Sequence, residues 1–138
     1  MTSWLIDIPL FKVIASAKPM SVRNWLESND ASVFLAAASL VEIAAAIAKG
    51  PVAQTQRREA MGAWLEGLAS QYADRIYPVD LQIAMRAGEI MPHLQIGHMR
   101  YRFHDALLLA TAQLHGHGLL TRRDSIFGPW TNVPIATP

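Results

Sequence analysis

The chain contains no cysteine. That excludes disulfide bridges, thiolate zinc sites and a cysteine nucleophile, and it suits a reducing compartment. A bias of charge is also lacking: 12 Lys and Arg stand against 11 Asp and Glu, for a net charge of +1. So even a balance singles out no charged partner at the level of the whole chain. The opening "MTSWLIDIPL" has no basic leader and reaches Asp7 early, so no secretory signal is expected. Long uncharged apolar runs are missing too. Residues 31–48, "ASVFLAAASLVEIAAAIA", come nearest, but Glu42 lies inside the run, two serines interrupt it, and alanine is only weakly apolar. A buried strand followed by a buried helix is expected there rather than a membrane span. No internal repeat or low-complexity tail is visible. These absences together give the expectation of a cytoplasmic protein with no membrane contact.

What is present reads as alternating elements. With 138 residues the chain suits one domain spanning 1–138, able to bury roughly 70% of its unfolded surface. Short apolar runs predict strands at 3–7, 32–36, 75–80, 118–121 and 132–136. A first helix or turn is expected over 8–18, followed by helices at 21–30, 39–50, 53–72, 81–91 and 104–115. Ser39 and Glu42 have the spacing of a capping box, Gly50-Pro51 is a stop signal, and Asp80 is a candidate cap. Strands that alternate with helices predict a three-layer α/β/α sandwich with a short, mostly parallel central sheet.

Four acids can be set against that frame. In an open parallel sheet, sites form beyond the carboxyl ends of the strands. Asp7 ends the first strand, Glu42 is expected in the first turn of the helix after the second, and Asp124 follows the fourth. Asp105 opens the helix before the fourth strand and joins the others if that helix starts at the same edge. Clustered carboxylates resist joint ionisation, and a bound Mg²⁺ or Mn²⁺ removes the difficulty. Each acid also has a simpler role open to it. Asp105 suits a helix start, Glu42 a capping box, Asp124 a solvated turn, and Asp7 a buried hydrogen bond.

The chain resembles a PIN-domain ribonuclease of the VapC/FitB toxin type, from "WLIDIPL" to "TNVPI". The family's apolar strand ending "LLDTN" corresponds to "WLIDIPL" and Asp7. Its helix-opening "S-x-x-E" corresponds to "SLVE" and Glu42. Its "DA-x-I-A-A-x-A-x-x-H-G" corresponds to "HDALLLATAQLHGHG" and Asp105, the most specific of the matches. Its "ATRD" or "TRN" corresponds to "LLTRRD" and Asp124. The resemblance implies a Mg²⁺- or Mn²⁺-dependent endoribonuclease, the toxin of a toxin–antitoxin pair, with Asp7, Glu42, Asp105 and Asp124 holding the ion and Thr121 as an auxiliary hydroxyl. It also implies an RNA substrate, a homodimer and a cognate antitoxin lying across the active-site groove. Two positions depart from the family: Ile8-Pro9 replaces "T-N" or "S-S", and Arg123 displaces Asp124 by one residue. They motivate a second reading, a catalytically weakened or inactive PIN-like module that binds RNA or a partner protein.

Arg100, Arg102, Arg122 and Arg123 flank the acids, with His98 and His104 close in sequence. A basic rim of this kind suits a polyanionic strand, and an ordinary solvated loop is an equal alternative. His104 is placed to orient Asp105, but solvent exposure is the favoured expectation. His115 and His117 in "HGHG" are expected to mark a helix end rather than a zinc site. Trp4, Trp25 and Trp64 belong to core or interface patterns, and Trp130 to a turn.

Overall fold

The computed structural model describes residues 3–7, 24, 28–29, 32–50, 54–94, 102–121, 127 and 132–136. The expected elements at 8–18 and 21–30 therefore lie almost wholly outside the described residues.

Five short strands form one sheet: β1 (Trp4–Ile6), β2 (Val33–Ala36), β3 (Ile76–Tyr77), β4 (Gly118–Leu120) and β5 (Ile135–Ala136). Their order is β3-β2-β1-β4-β5, and every pairing is parallel. The register sets Leu5 beside Phe34 and Leu119, and Leu119 beside Ile135. Side chains alternate across a strand, so these residues share one face while Ile6, Val33, Leu35 and Leu120 take the other. Both faces are apolar, as a parallel sheet covered on both sides requires.

The helices supply that cover. On the second face lie α1 (Ala37–Ala48) and α2 (Thr55–Gln71), through Ile43, Leu68 and Tyr72. On the first lie α3 (Leu81–Ile90) and α4 (Arg102–His115), with Phe127 and Val133. The expected three-layer sandwich is thus the observed one. Helix α4 is buried almost all round, from Asp105 to Ala112, because it lies between the sheet and α3. Its one buried hydroxyl in that span, Thr111, is satisfied by donating to the Leu107 carbonyl at 2.7 Å. Burying each of these leucines contributes about 1.5–3 kcal/mol.

Local signals fix several boundaries. Asp80 caps α3, its Oδ1 accepting from the Ile83 N–H at 2.8 Å. Helix α4 ends in a Schellman turn: Gly116 has φ 72°, and the His117 N–H donates to Ala112 O at 2.8 Å. That turn leads straight into β4, where Gly118 sits under the Trp4 ring. The capping box expected at Ser39 and Glu42 does not form. Helix α1 begins at Ala37, directly off β2, with Ala36 as N-cap and no side-chain cap. Ser39 is thereby in the first turn and Glu42 in the second.

Candidate functional site

β1 is the middle strand, so its end faces the centre of the carboxyl edge. Asp7 is the next residue, and its N–H still bonds to Leu120 O at 2.9 Å. Thr121 holds the matching place after β4, its N–H bonding to Ala136 O at 2.9 Å. Strand register thus brings the two side chains together. Thr121 Oγ1 donates to Asp7 Oδ2 at 2.6 Å, and both residues are fully buried. A buried carboxylate needs such donors, because its desolvation is otherwise costly.

Asp105 reaches the same edge through the direction of α4. The tight turn at Gly116-His117 makes α4 run back along β4, so its first turn lies at the carboxyl end of the sheet. A side-chain contact shows the same thing directly. His104 Nδ1 lies 3.0 Å from Glu42 Oε1, which joins the first turn of α4 to the second turn of α1. The contact has ion-pair distance without the alignment of a hydrogen bond. Asp105 is only 5% exposed, at the positive end of the helix dipole. His104 does not face solvent as expected; its side chain is 30% exposed and turned against Glu42.

Three of the four expected acids therefore stand at one edge, Asp7 just after β1, Glu42 on α1 and Asp105 on α4. Among the described residues, no group of three or more His, Cys, Asp or Glu side chains is gathered as an ion would need. Asp124, Arg100, Arg122 and Arg123 lie outside the described residues, and Arg102 opens α4 with its side chain outside them. The donors present are all oxygens apart from His104, the chemistry a hard divalent cation prefers. Mg²⁺ commonly takes one or two carboxylates plus water, and Asp7 and Asp105 are donors of that kind.

A second polar cluster was not visible in the sequence. His117 is buried, with Nδ1 bonded to Ser3 Oγ and Nε2 bonded to the Tyr77 hydroxyl at 2.5 Å. Phe34 stacks on its ring at 4.4 Å, and Tyr77 stacks on His115 at 3.8 Å. Burial and then the nearby His115 push the His117 imidazole below its ordinary value, and burial pushes the Tyr77 phenol up. The available signal was alternation, which puts Phe34 and Tyr77 on one sheet face beneath the end of α4. His117 precedes β4, at the opposite end of the strand from Thr121, so this cluster is no part of the acidic edge.

The PIN domain family model matches residues 10–128. No curated protein matches the chain. Among solved structures, a chain of the DNA-bound VapBC of Salmonella typhimurium superposes with a TM-score of 0.79 at 19% identity, over 99% of this chain and 98% of that one. A chain of FitAcB from Neisseria gonorrhoeae gives 0.78 at 22% identity, over 96% and 95%. A chain of a toxin–antitoxin complex from Klebsiella pneumoniae gives 0.71 at 21% identity, over 99% and 98%.

Proposed function

The chain belongs to the PIN-domain family, and from that premise we propose that it is a metal-dependent endoribonuclease, the toxin of a toxin–antitoxin pair. The observation that carries the reading is the acidic edge: Asp7 buried and bonded to Thr121, with Asp105 buried at the start of α4 beside the Glu42–His104 contact. The whole chain, residues 1–138, works as one PIN-like unit, in keeping with the full-length overlap with its structural neighbours.

Asp7 and Asp105 would hold a Mg²⁺ or Mn²⁺ ion, with Glu42 and Asp124 contributing directly or through water. When bound, the ion supplies an activated water and a positive charge for the phosphoryl oxygens. The side chains do the rest. Thr121 holds the Asp7 carboxylate in place through its 2.6 Å bond to Oδ2. Arg100, Arg102, Arg122 and Arg123 hold the RNA backbone by its phosphates and give binding that weakens with salt.

The protein partner is a cognate antitoxin, by analogy with VapBC, FitAcB and the Klebsiella complex. Val41 and Phe103 are 59% and 50% exposed and are neighbours in sequence of Glu42 and His104, which supports an apolar anchor for that partner beside the edge. The working form is a cytoplasmic homodimer. In the described residues, no helix is long and apolar enough to cross a membrane.

One observation favours the second reading, a PIN-like module that binds RNA or protein without cleaving. Among the described residues the acids share an edge, but no three of them are gathered into a group that could hold an ion. Incubation of RNA with the purified chain separates the two readings. Cleavage is expected with Mg²⁺ or Mn²⁺, none with chelator, and at least about a hundredfold loss in Asp105→Asn. RNA that stays intact in every metal, with the protein folded, rejects the nuclease and leaves the binding module.

A further inference from the structure

We propose that His104 is a positioning residue that keeps the Glu42 carboxylate against α4 and competes for it with a divalent cation. The inference rests on the metal reading above. Its ground is one juxtaposition: His104 Nδ1 is shielded from solvent, makes no aligned hydrogen bond, and lies 3.0 Å from Glu42 Oε1. Successive residues on a helix diverge by about 100°. That divergence turns His104 toward α1 while its neighbour Asp105 is buried. The Phe103 and His104 rings meet in a T-shaped contact, their centroids 5.6 Å apart.

Glu42 therefore has a nitrogen neighbour on α4, and among the described residues it belongs to no three-ligand group. Both side chains are partly exposed, at 30% for His104 and 41% for Glu42, so solvent weakens the contact and a cation can displace it. Hard divalent ions prefer carboxylate oxygen to imidazole. An ion that recruits Glu42 must draw it off His104, and the imidazole is left behind as a spectator. His104 thus sets how readily the third acid joins the ion, while Asp7 and Asp105 provide the fixed part of the site.

The test is calorimetric titration of Mn²⁺ into the full chain, its His104→Leu and Glu42→Gln variants and the double variant, each checked for folding by circular dichroism. His104→Leu keeps an apolar contact for Phe103 and removes the nitrogen. It should tighten Mn²⁺ binding by roughly two- to fivefold, the scale of a weak, partly exposed polar contact. The same substitution in the Glu42→Gln background should change nothing. Unchanged or weaker binding by His104→Leu, or a gain that persists without Glu42, overturns the proposal and leaves the metal reading standing. No heat from any of the four proteins overturns both. If His104→Leu fails to fold, NMR of the wild-type ring decides. With Mg²⁺ bound, as shown by shifts at Asp105, the His104 ring resonances should move clearly more in the wild type than in Glu42→Gln, and equal movement in the two overturns the proposal.

Discussion

Replacing Thr121 by valine removes one hydroxyl and preserves shape. Thr121 Oγ1 donates to Asp7 Oδ2 at 2.6 Å, and neither residue is exposed. A hydrogen bond to a charged acceptor contributes about 1.5–3 kcal/mol net, and a buried acceptor left short of a donor keeps its full desolvation cost. We expect Thr121→Val to lose about 2 kcal/mol of stability. With about 2.1 cal/mol/K of unfolding entropy per residue over 138 residues, that lowers Tm by about 7 °C. Urea denaturation followed by tryptophan fluorescence gives the free energy, and calorimetry gives Tm. The decisive comparison is Thr121→Val in an Asp7→Ala background, where the carboxylate is gone and the substitution should be neutral or mildly stabilising. An equal loss in both backgrounds would refute the reasoning, because methyl packing rather than the Thr121–Asp7 bond would then account for it.

Three further outcomes can be measured with the same preparation. Gly118→Ala puts a Cβ 2.5 and 2.8 Å from two Trp4 ring carbons and 3.2 Å from Pro134 O, so it should cost roughly 1–3 kcal/mol and shift tryptophan emission; unaltered stability would contradict the β1–β4 packing. Asp80→Ala should cost about 1 kcal/mol in urea denaturation by removing the cap on the Ile83 N–H, and a cost near zero would mean that water replaces it. His117 is held below its ordinary value of 6.5, so the unfolded chain takes up a proton first as pH falls. Its contribution to stability is complete above 6.5 and is lost as pH drops toward the folded-state value. Stability curves between about pH 7 and 5 should flatten in His117→Asn, which keeps a hydrogen-bonding group but does not titrate there; an unchanged slope would show that other groups carry it.

The sheet was legible because its strands are short, apolar and separated by helical spacing, and the register then sorts Leu5 and Ile6 onto opposite faces. Helix α4 was legible in extent to within two residues, starting at Arg102 rather than residue 104. Its burial follows the same reading, since a nearly all-apolar helix without a polar stripe is one enclosed between layers. The capping box at Ser39 and Glu42 misled because α1 starts straight off β2, and tertiary packing outweighs a four-residue signal. In the site, Asp7 was readable as an acid ending an apolar run. Placing Asp105 needed the direction of α4, which the Gly116 turn fixes. The Glu42–His104 contact depends on how α1 and α4 pack, and no local pattern carries that information.

The middle strand of the sheet and its neighbour β4 come from residues 4–6 and 118–120, and the Thr121–Asp7 bond spans a sequence separation of 114. A ribosome adds about 5–20 residues per second, so β1 leaves the tunnel on the order of ten seconds before its neighbour has been synthesised. During that interval a nascent chain can assemble helices and the β1–β2 pair, but Asp7 has no Thr121 and α4 has not been made. Translation order thus works as a timer, and a product released before residue 118 has no completed acidic edge.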